Sequence, residues 1–151
     1  MIRILVAEDN AVNRELLREL LEARGYTVFE ACDGEAALRM IEQTKPELLL
    51  LDIGMPVLDG FGVIRKIREN PRLALLPVVA VTAYAMRGDR EKILASGFDG
   101  YLSKPLNPSS LTSELDRLLN KHATISAEQN QGRADQGARK DGSASASDSG
   151  A

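Results

Sequence analysis

The sequence predicts a doubly wound α/β fold: a five-stranded parallel sheet flanked by five helices. Two observations carry this. Short runs that are apolar at nearly every position alternate with longer segments whose apolar residues recur every three or four positions, so strand and helix follow one another five times. Consecutive parallel strands need right-handed crossovers, and those crossovers cover both faces of a sheet.

Ile2 to Ala7 reads as a strand buried on both faces. Asn10 caps a helix carrying Val12, Leu16, Leu17, Leu20 and Leu21 on one face, closed by Gly25. Tyr26 to Ala31 is the second strand, and Asp33 caps a second helix with Ala37, Leu38 and Ile41 inward. Pro46 introduces the third strand, Glu47 to Asp52. Phe61, Val63, Ile64 and Ile67 mark the third helix, stopped at Asn70-Pro71. Pro77 to Thr82 is the fourth strand. Met86 to Ser96 forms a fourth helix with a thin apolar face, Ile93 and Leu94, before Gly97. A very short strand spans Gly100 to Leu102. Asn107 caps the last helix, Pro108 takes its first position, and Leu111, Leu115, Leu118 and Leu119 form its buried stripe. The period alone does not fix the order of strands in the sheet.

A chain of 151 residues, 44% hydrophobic and 27% charged, holds one domain with a buried core. That domain is assigned to residues 1–121. Residues 122–151 show no period and almost no large apolar side chain after Ile125. They cannot offset their ordering entropy by burial and are read as a disordered polar tail. A net charge of −3 offers no basic surface for direct nucleic-acid binding. The lone Cys32 excludes an internal disulfide and points to a reducing compartment. The apolar start is too short and too soon charged for a signal peptide, and nothing later is long enough for membrane insertion, so the expected location is cytoplasmic.

Parallel α/β sheets place their working residues at the carboxyl ends of the strands. Glu8 and Asp9 follow the first strand, Asp52 ends the third, Thr82 the fourth, and Lys104 follows the fifth. Carboxylates brought together repel: a like-charge pair at about 4 Å costs roughly 4 kcal/mol at an effective dielectric near 20. A divalent cation removes that cost, and an oxygen-only donor set suits Mg²⁺. A hydroxyl donor and an ammonium facing a carboxylate suit a phosphoryl group, whose oxygens need neutralising in the transition state. Singly, each residue has a plainer role: Glu8-Asp9 a helix cap, Asp52 a polar strand end, Thr82 a β-former, Lys104-Pro105 a turn. Their order at successive strand ends makes coincidence the weaker account.

The stretches Ala7-Glu8-Asp9-Asn10, Leu51-Asp52-Ile53-Gly54-Met55-Pro56-Val57-Leu58-Asp59-Gly60, Val81-Thr82-Ala83-Tyr84 and Gly100-Tyr101-Leu102-Ser103-Lys104-Pro105 resemble the signatures of two-component response-regulator receiver domains. The segment Asp9-Asn10-Ala11-Val12-Asn13-Arg14 resembles receivers found alone or attached to hybrid histidine kinases. The resemblance implies a flavodoxin-like sheet of order 2-1-3-4-5. It implies a phosphorelay switch in which Asp52 accepts a phosphoryl group from a phosphohistidine of a histidine kinase or histidine phosphotransfer protein. Asp9, Asp52 and the backbone carbonyl of Gly54 would bind Mg²⁺ directly, with Glu8 acting largely through water. Lys104 would contact Asp52 and then the phosphoryl oxygens, Thr82 would close on the phosphoryl group, Tyr101 would be the aromatic switch, and Lys104-Pro105 would be cis. Such a chain is not a conventional enzyme; it catalyses its own phosphorylation and a slow autodephosphorylation. Gly54, with no side chain to steer water, and the bulky Tyr84 both favour slow loss of the phosphoryl group.

Weakly anchored elements shift cheaply, so the face of the fourth helix, fifth strand and fifth helix is the expected output surface toward a downstream protein. Arg87, Arg90, Lys92 and Leu106 belong to it. The resemblance places the docking of the kinase or phosphotransfer helix near Asn13, Arg14, Leu17 and Pro105. A monomer and a phosphorylation-dependent homodimer both fit. His122, at a helix end, reads as a dipole-stabilised or solvated ring and not a phosphodonor, and Cys32 as a packing residue. Three rivals are weaker. A phosphohydrolase with an aspartyl-phosphate intermediate normally has a second acid where this sequence has Gly54, and a nucleotide or flavin domain needs a glycine-rich cradle after its first strand. The intact acid set speaks against an interaction module without the chemistry. The start at Met1 directly before the first strand favours a free-standing regulator over a receiver cut from a hybrid kinase, and the polar tail suits either.

Overall fold

The computed structural model describes the backbone of residues 1–83 and 87–131, and the side chains of 1–83 and 89–119. In chain order the elements are β1 (Arg3–Ala7), α1 (Ala11–Ala23), β2 (Thr27–Ala31), α2 (Gly34–Thr44), β3 (Leu48–Asp52), α3 (Gly60–Glu69), β4 (Val78–Thr82), α4 (Arg87–Ala95), β5 (Gly100–Ser103) and α5 (Pro108–Gln131). The strands form one parallel sheet in the order β2-β1-β3-β4-β5, the order implied by the resemblance.

Composition explains which strands are central. β3 (Leu-Leu-Leu-Leu-Asp) and β4 (Val-Val-Ala-Val-Thr) are buried at every position, as strands covered on both faces must be. β2 (Thr-Val-Phe-Glu-Ala) is half-buried at all but its last residue and forms an edge. Leu5, Leu49 and Leu51 pack with Ile41, Ile64 and Ile67 of α2 and α3 in the main core. Burying each such side chain contributes about 1.5–3 kcal/mol.

Side-chain caps fix where the helices begin. Asn10, Asp33 and Asn107 accept backbone N–H bonds from Asn13, Ala36 and Ser109, as expected. Asp59 does the same for Gly62. The apolar face expected for α1 is narrower than predicted. Leu17 and Leu21 are buried, whereas Val12 is 74% and Leu16 42% exposed. Adjacent positions lie about 100° apart around a helix, so one packing surface cannot cover them all.

α5 also differs from expectation. It runs on to Gln131, so residues 122–131, assigned to the polar tail, are helical. No glycine or proline interrupts the chain from Ser109 to Gln131, and Gly132 comes next. The rest of that tail (132–151), Tyr84, Met86 and the side chains of Arg87 and His122 lie outside the described residues. The chain divides into a unit from Met1 to Leu115 and a second from Asp116 onward; the site described below lies in the first. Among the described residues, no helix is long and apolar enough to cross a membrane.

The loop between β3 and α3 folds tightly over the strand end. A Cβ on Gly60 would lie 2.7 Å from the Cα of Ile53, and one on Gly34 would run into the Leu58 carbonyl. Within this loop the Leu58 N–H donates to the Pro56 carbonyl at 2.8 Å around Val57, whose φ is +70°. That is a γ-turn with a positive central φ, a strained form.

Candidate functional site

Register brings the strand ends level. Ala7 lies opposite Leu51, Asp52 opposite Val81, and Thr82 opposite Ser103. β1 connects outward to β2, and the chain then returns to β3 on the other side of β1, so the winding reverses between β1 and β3. A crevice opens at the carboxyl ends of strands at such a point. Glu8, Asp9 and Asp52 line it, with carboxylate oxygens all within 4.8 Å of one another.

Each acid is held differently. Asp52, buried at the end of β3, accepts the Gly54 N–H on Oδ1 at 3.0 Å and Lys104 Nζ on Oδ2 at 3.1 Å. Glu8, 1% exposed, accepts the Asn10 N–H on Oε2 at 3.0 Å. Its Oε1 lies 3.2 Å from Lys104 Nζ but accepts no hydrogen bond among the described residues. Asp9 is exposed at the mouth. One ammonium thus faces two buried carboxylates, with a third beside them.

The titrations reflect this crowding. Burial pushes Glu8 up from 4.5 to about 7; its hydrogen bond from Asn10 opposes the rise, and the neighbouring Asp52 adds to it. Burial alone would pull Lys104 down, but Asp52 and Glu8 outweigh it and the net shift is upward. A buried oxygen without a hydrogen bond, an all-oxygen donor set and an excess of negative charge fit a hard divalent cation. The cluster can hold a metal ion.

Thr82 is buried at the end of β4, and its carbonyl accepts the Lys104 N–H at 2.8 Å. The Lys104-Pro105 peptide is cis, as the resemblance implied. Among the described residues, its two chain neighbours aside, a Cβ on Gly54 would meet only Asp52 Oδ1, at 3.9 Å, which leaves room for a side chain. Tyr101 is half-buried on β5, with the Arg90 guanidinium of α4 5.6 Å from its ring centre. Both line a cleft of about 440 Å³ with Ser103 and with Ser109, Ser113 and Glu114 of α5. Arg14, expected at the docking surface, donates to the Glu8 carbonyl at 2.8 Å. No pattern in the sequence signals that contact, because it depends on where a long side chain finds its acceptors.

The response regulator receiver domain family matches residues 4–116, a span that contains every side chain just described. The polar-differentiation response regulator DivK of Brucella anthropi is 38% identical over 104 residues, covering 69% of this chain and 85% of that protein. Hybrid signal transduction histidine kinase I of Dictyostelium discoideum is 40% identical over 128 residues, 80% of this chain and 7% of that protein. Among solved structures, the receiver domain of sensor histidine kinase PA1611 from Pseudomonas aeruginosa PAO1, with a magnesium ion coordinated in its active site cleft, is 37% identical, with a TM-score of 0.73 and coverage of 79% of this chain and 98% of that one. The fold, the family match and the relatives agree, and the chain belongs to the response regulator receiver domains of two-component systems.

Proposed function

We propose that this receiver takes a phosphoryl group onto Asp52 from a phosphohistidine of a histidine kinase or phosphotransfer protein, and then acts on a protein partner through its α4–β5–α5 face. The observation that carries the reading is the meeting of Glu8, Asp9 and Asp52 within 4.8 Å, beside a lysine 3.1 Å from Asp52. Mg²⁺ is the cation that suits such a site, and Asp9, Asp52 and the Gly54 carbonyl would hold it, with Glu8 acting largely through water. When bound, the ion neutralises negative oxygens on the carboxylates and the incoming phosphoryl group.

The chain's own groups do the rest. The Gly54 N–H and Lys104 fix the plane of the Asp52 carboxylate, leaving its nucleophile oriented. A new bond forms from an Asp52 oxygen to phosphorus as the donor's phosphorus–nitrogen bond breaks, and the imidazole leaves with the electron pair. Lys104 then pairs with phosphoryl oxygens, and the Thr82 hydroxyl donates to them. Inward movement of Thr82 makes room for Tyr101 to leave Arg90, which reshapes the cleft between β5 and α5. The test is phosphoryl transfer from a labelled histidine kinase with Mg²⁺. Wild type labels and Asp52→Asn does not; labelling of the variant at another residue overturns the assignment.

A further inference from the structure

We propose that Arg14, backed by Glu30, is a positioning residue that sets the Glu8–Asp9 backbone for the cation. The inference rests on the reading of this rim as a magnesium site. Arg14 lies one turn beyond the Asn10 cap and reaches back across the loop. Its Nη1 donates to the Glu8 carbonyl at 2.8 Å, which is the peptide joining the two acids. Its Nε donates to Glu30 Oε1 at 3.1 Å, and the other Glu30 oxygen accepts from Arg18 Nη1 at 2.7 Å. Glu30 lies on β2, in register with Val6 of β1. The clamp is therefore anchored on the sheet as well as on α1. Arg14 and Glu30 side chains are only 21% and 28% exposed, so the fork is held between them and not free in water.

Fixing that carbonyl fixes the backbone torsions on either side of it, and with them the directions in which both carboxylates leave the chain. The Asn10 N–H holds the Glu8 side chain from the other end. Charge alone does not account for the arrangement. A guanidinium beside a cation site weakens cation binding by repulsion, and Glu30 only moderates this. The sign of a substitution therefore separates the possibilities. Coulomb repulsion alone makes Arg14→Ala bind the metal more tightly, a role confined to docking leaves affinity unchanged, and positioning makes binding weaker.

The experiment titrates Mg²⁺ by calorimetry into wild type, Arg14→Ala, Arg14→Lys and Arg18→Ala, with thermal melts alongside. Labelling by a small acyl phosphate, which needs no docked protein, is measured on the same samples. Arg14→Ala is expected to lose about tenfold in affinity, the lower end of what groups supporting metal ligands contribute. Arg14→Lys follows it, since an ammonium keeps the charge but cannot span both acceptors. Arg18→Ala, which touches Glu30 and not the loop, changes least. Labelling falls at limiting Mg²⁺ and recovers at saturation. Equal or tighter binding by folded Arg14→Ala overturns the clamp while leaving the site intact; if that variant does not fold, Arg14→Lys decides by the same criterion. Wild type that neither binds Mg²⁺ nor labels removes the site reading itself, and the clamp with it.

Discussion

The two rims of the sheet are built to opposite rules. At the amino rim, Arg68 donates to the carbonyls of Gly97, Ala74 and Leu76 and to Asp99 Oδ2, each at 2.9 Å. The same Asp99 oxygen accepts the Val78 N–H where β4 begins. Arg3 likewise holds the carbonyls of Thr44 and Lys45 ahead of β3. At the carboxyl rim, carboxylates outnumber the one lysine between them, Glu8 Oε1 accepts no hydrogen bond among the described residues, and Val57 sits at φ +70°. One end satisfies its polar groups and secures the loops, while the other leaves charge and backbone poised. Local rules are broken where a ligand and a reaction can use the imbalance.

The largest effect that would break this contrast is a pH dependence. Between its unfolded value of 4.5 and its folded value of about 7, Glu8 binds more protons in the folded protein than in the unfolded chain. Stability therefore falls as pH rises through that window. The loss is at most about 3 kcal/mol in the presence of a chelator, since solvent and the neighbouring charges screen part of the shift. Mg²⁺ offsets the charge and should flatten the slope, as should Glu8→Gln. Urea unfolding with chelator and with Mg²⁺ at the two ends of the window reads this directly. A flat profile in chelator would mean the rim carries no such imbalance.

The amino rim should fail in another way. Arg68→Ala strips a hydrogen-bond donor from three loop carbonyls. It should cost about 2 kcal/mol of stability, equally at all pH values in the window above. Mg²⁺ affinity should not change, because the arginine is at the far end of the strands. An Arg68→Ala protein that keeps its stability but loses its metal would erase the distinction between the rims.

These rims were unequally legible in the sequence. The charged residues stand out because each follows or ends an apolar run at the end of a strand, so the pattern alone puts Glu8, Asp9, Asp52 and Lys104 on one rim. Three helix caps were legible because capping is a local interaction between residues three positions or fewer apart. The strand order was not, since period-two and period-3.6 patterns carry no lateral information; it came from the resemblance. Arg14 and Arg68 were illegible for a related reason. Their acceptors lie up to 31 residues away in sequence, and only the folded chain brings them within reach. Val12 and Leu16 misled because apolar residues on a helix flank do not announce whether anything covers them.

Gly54 sharpens the comparison from the side of rate. Among the described residues, its two chain neighbours aside, nothing but Asp52 Oδ1 comes within 4 Å of a Cβ there. Gly54→Asn should therefore fold as well as wild type while placing an amide beside the acyl phosphate proposed at Asp52, where it can orient water. Phosphoryl loss, followed after labelling and donor removal, should speed up several-fold with melting temperature unchanged. An unchanged lifetime would show that access of water, not its orientation, sets the rate.

Val57 offers the smallest effect and a sign that is easy to read. A residue with a Cβ held at positive φ costs about 1–2 kcal/mol, and β-branching makes the fit worse. The side chain is 72% exposed, so little burial offsets that cost. Val57→Gly removes the strain but frees the unfolded chain by roughly 0.5–1 kcal/mol. The net gain is about 0.5 kcal/mol, a rise of about 1–2 °C in Tm. Val57→Ala keeps a Cβ at the same φ and should gain much less. If glycine stabilises the fold, the loop over Asp52 is held in a strained turn by Gly34, Gly60 and the capping Asp59 around it, as a poised rim requires. If glycine destabilises it as an exposed loop glycine ordinarily would, the turn carries no strain and the contrast between the rims rests on charge alone.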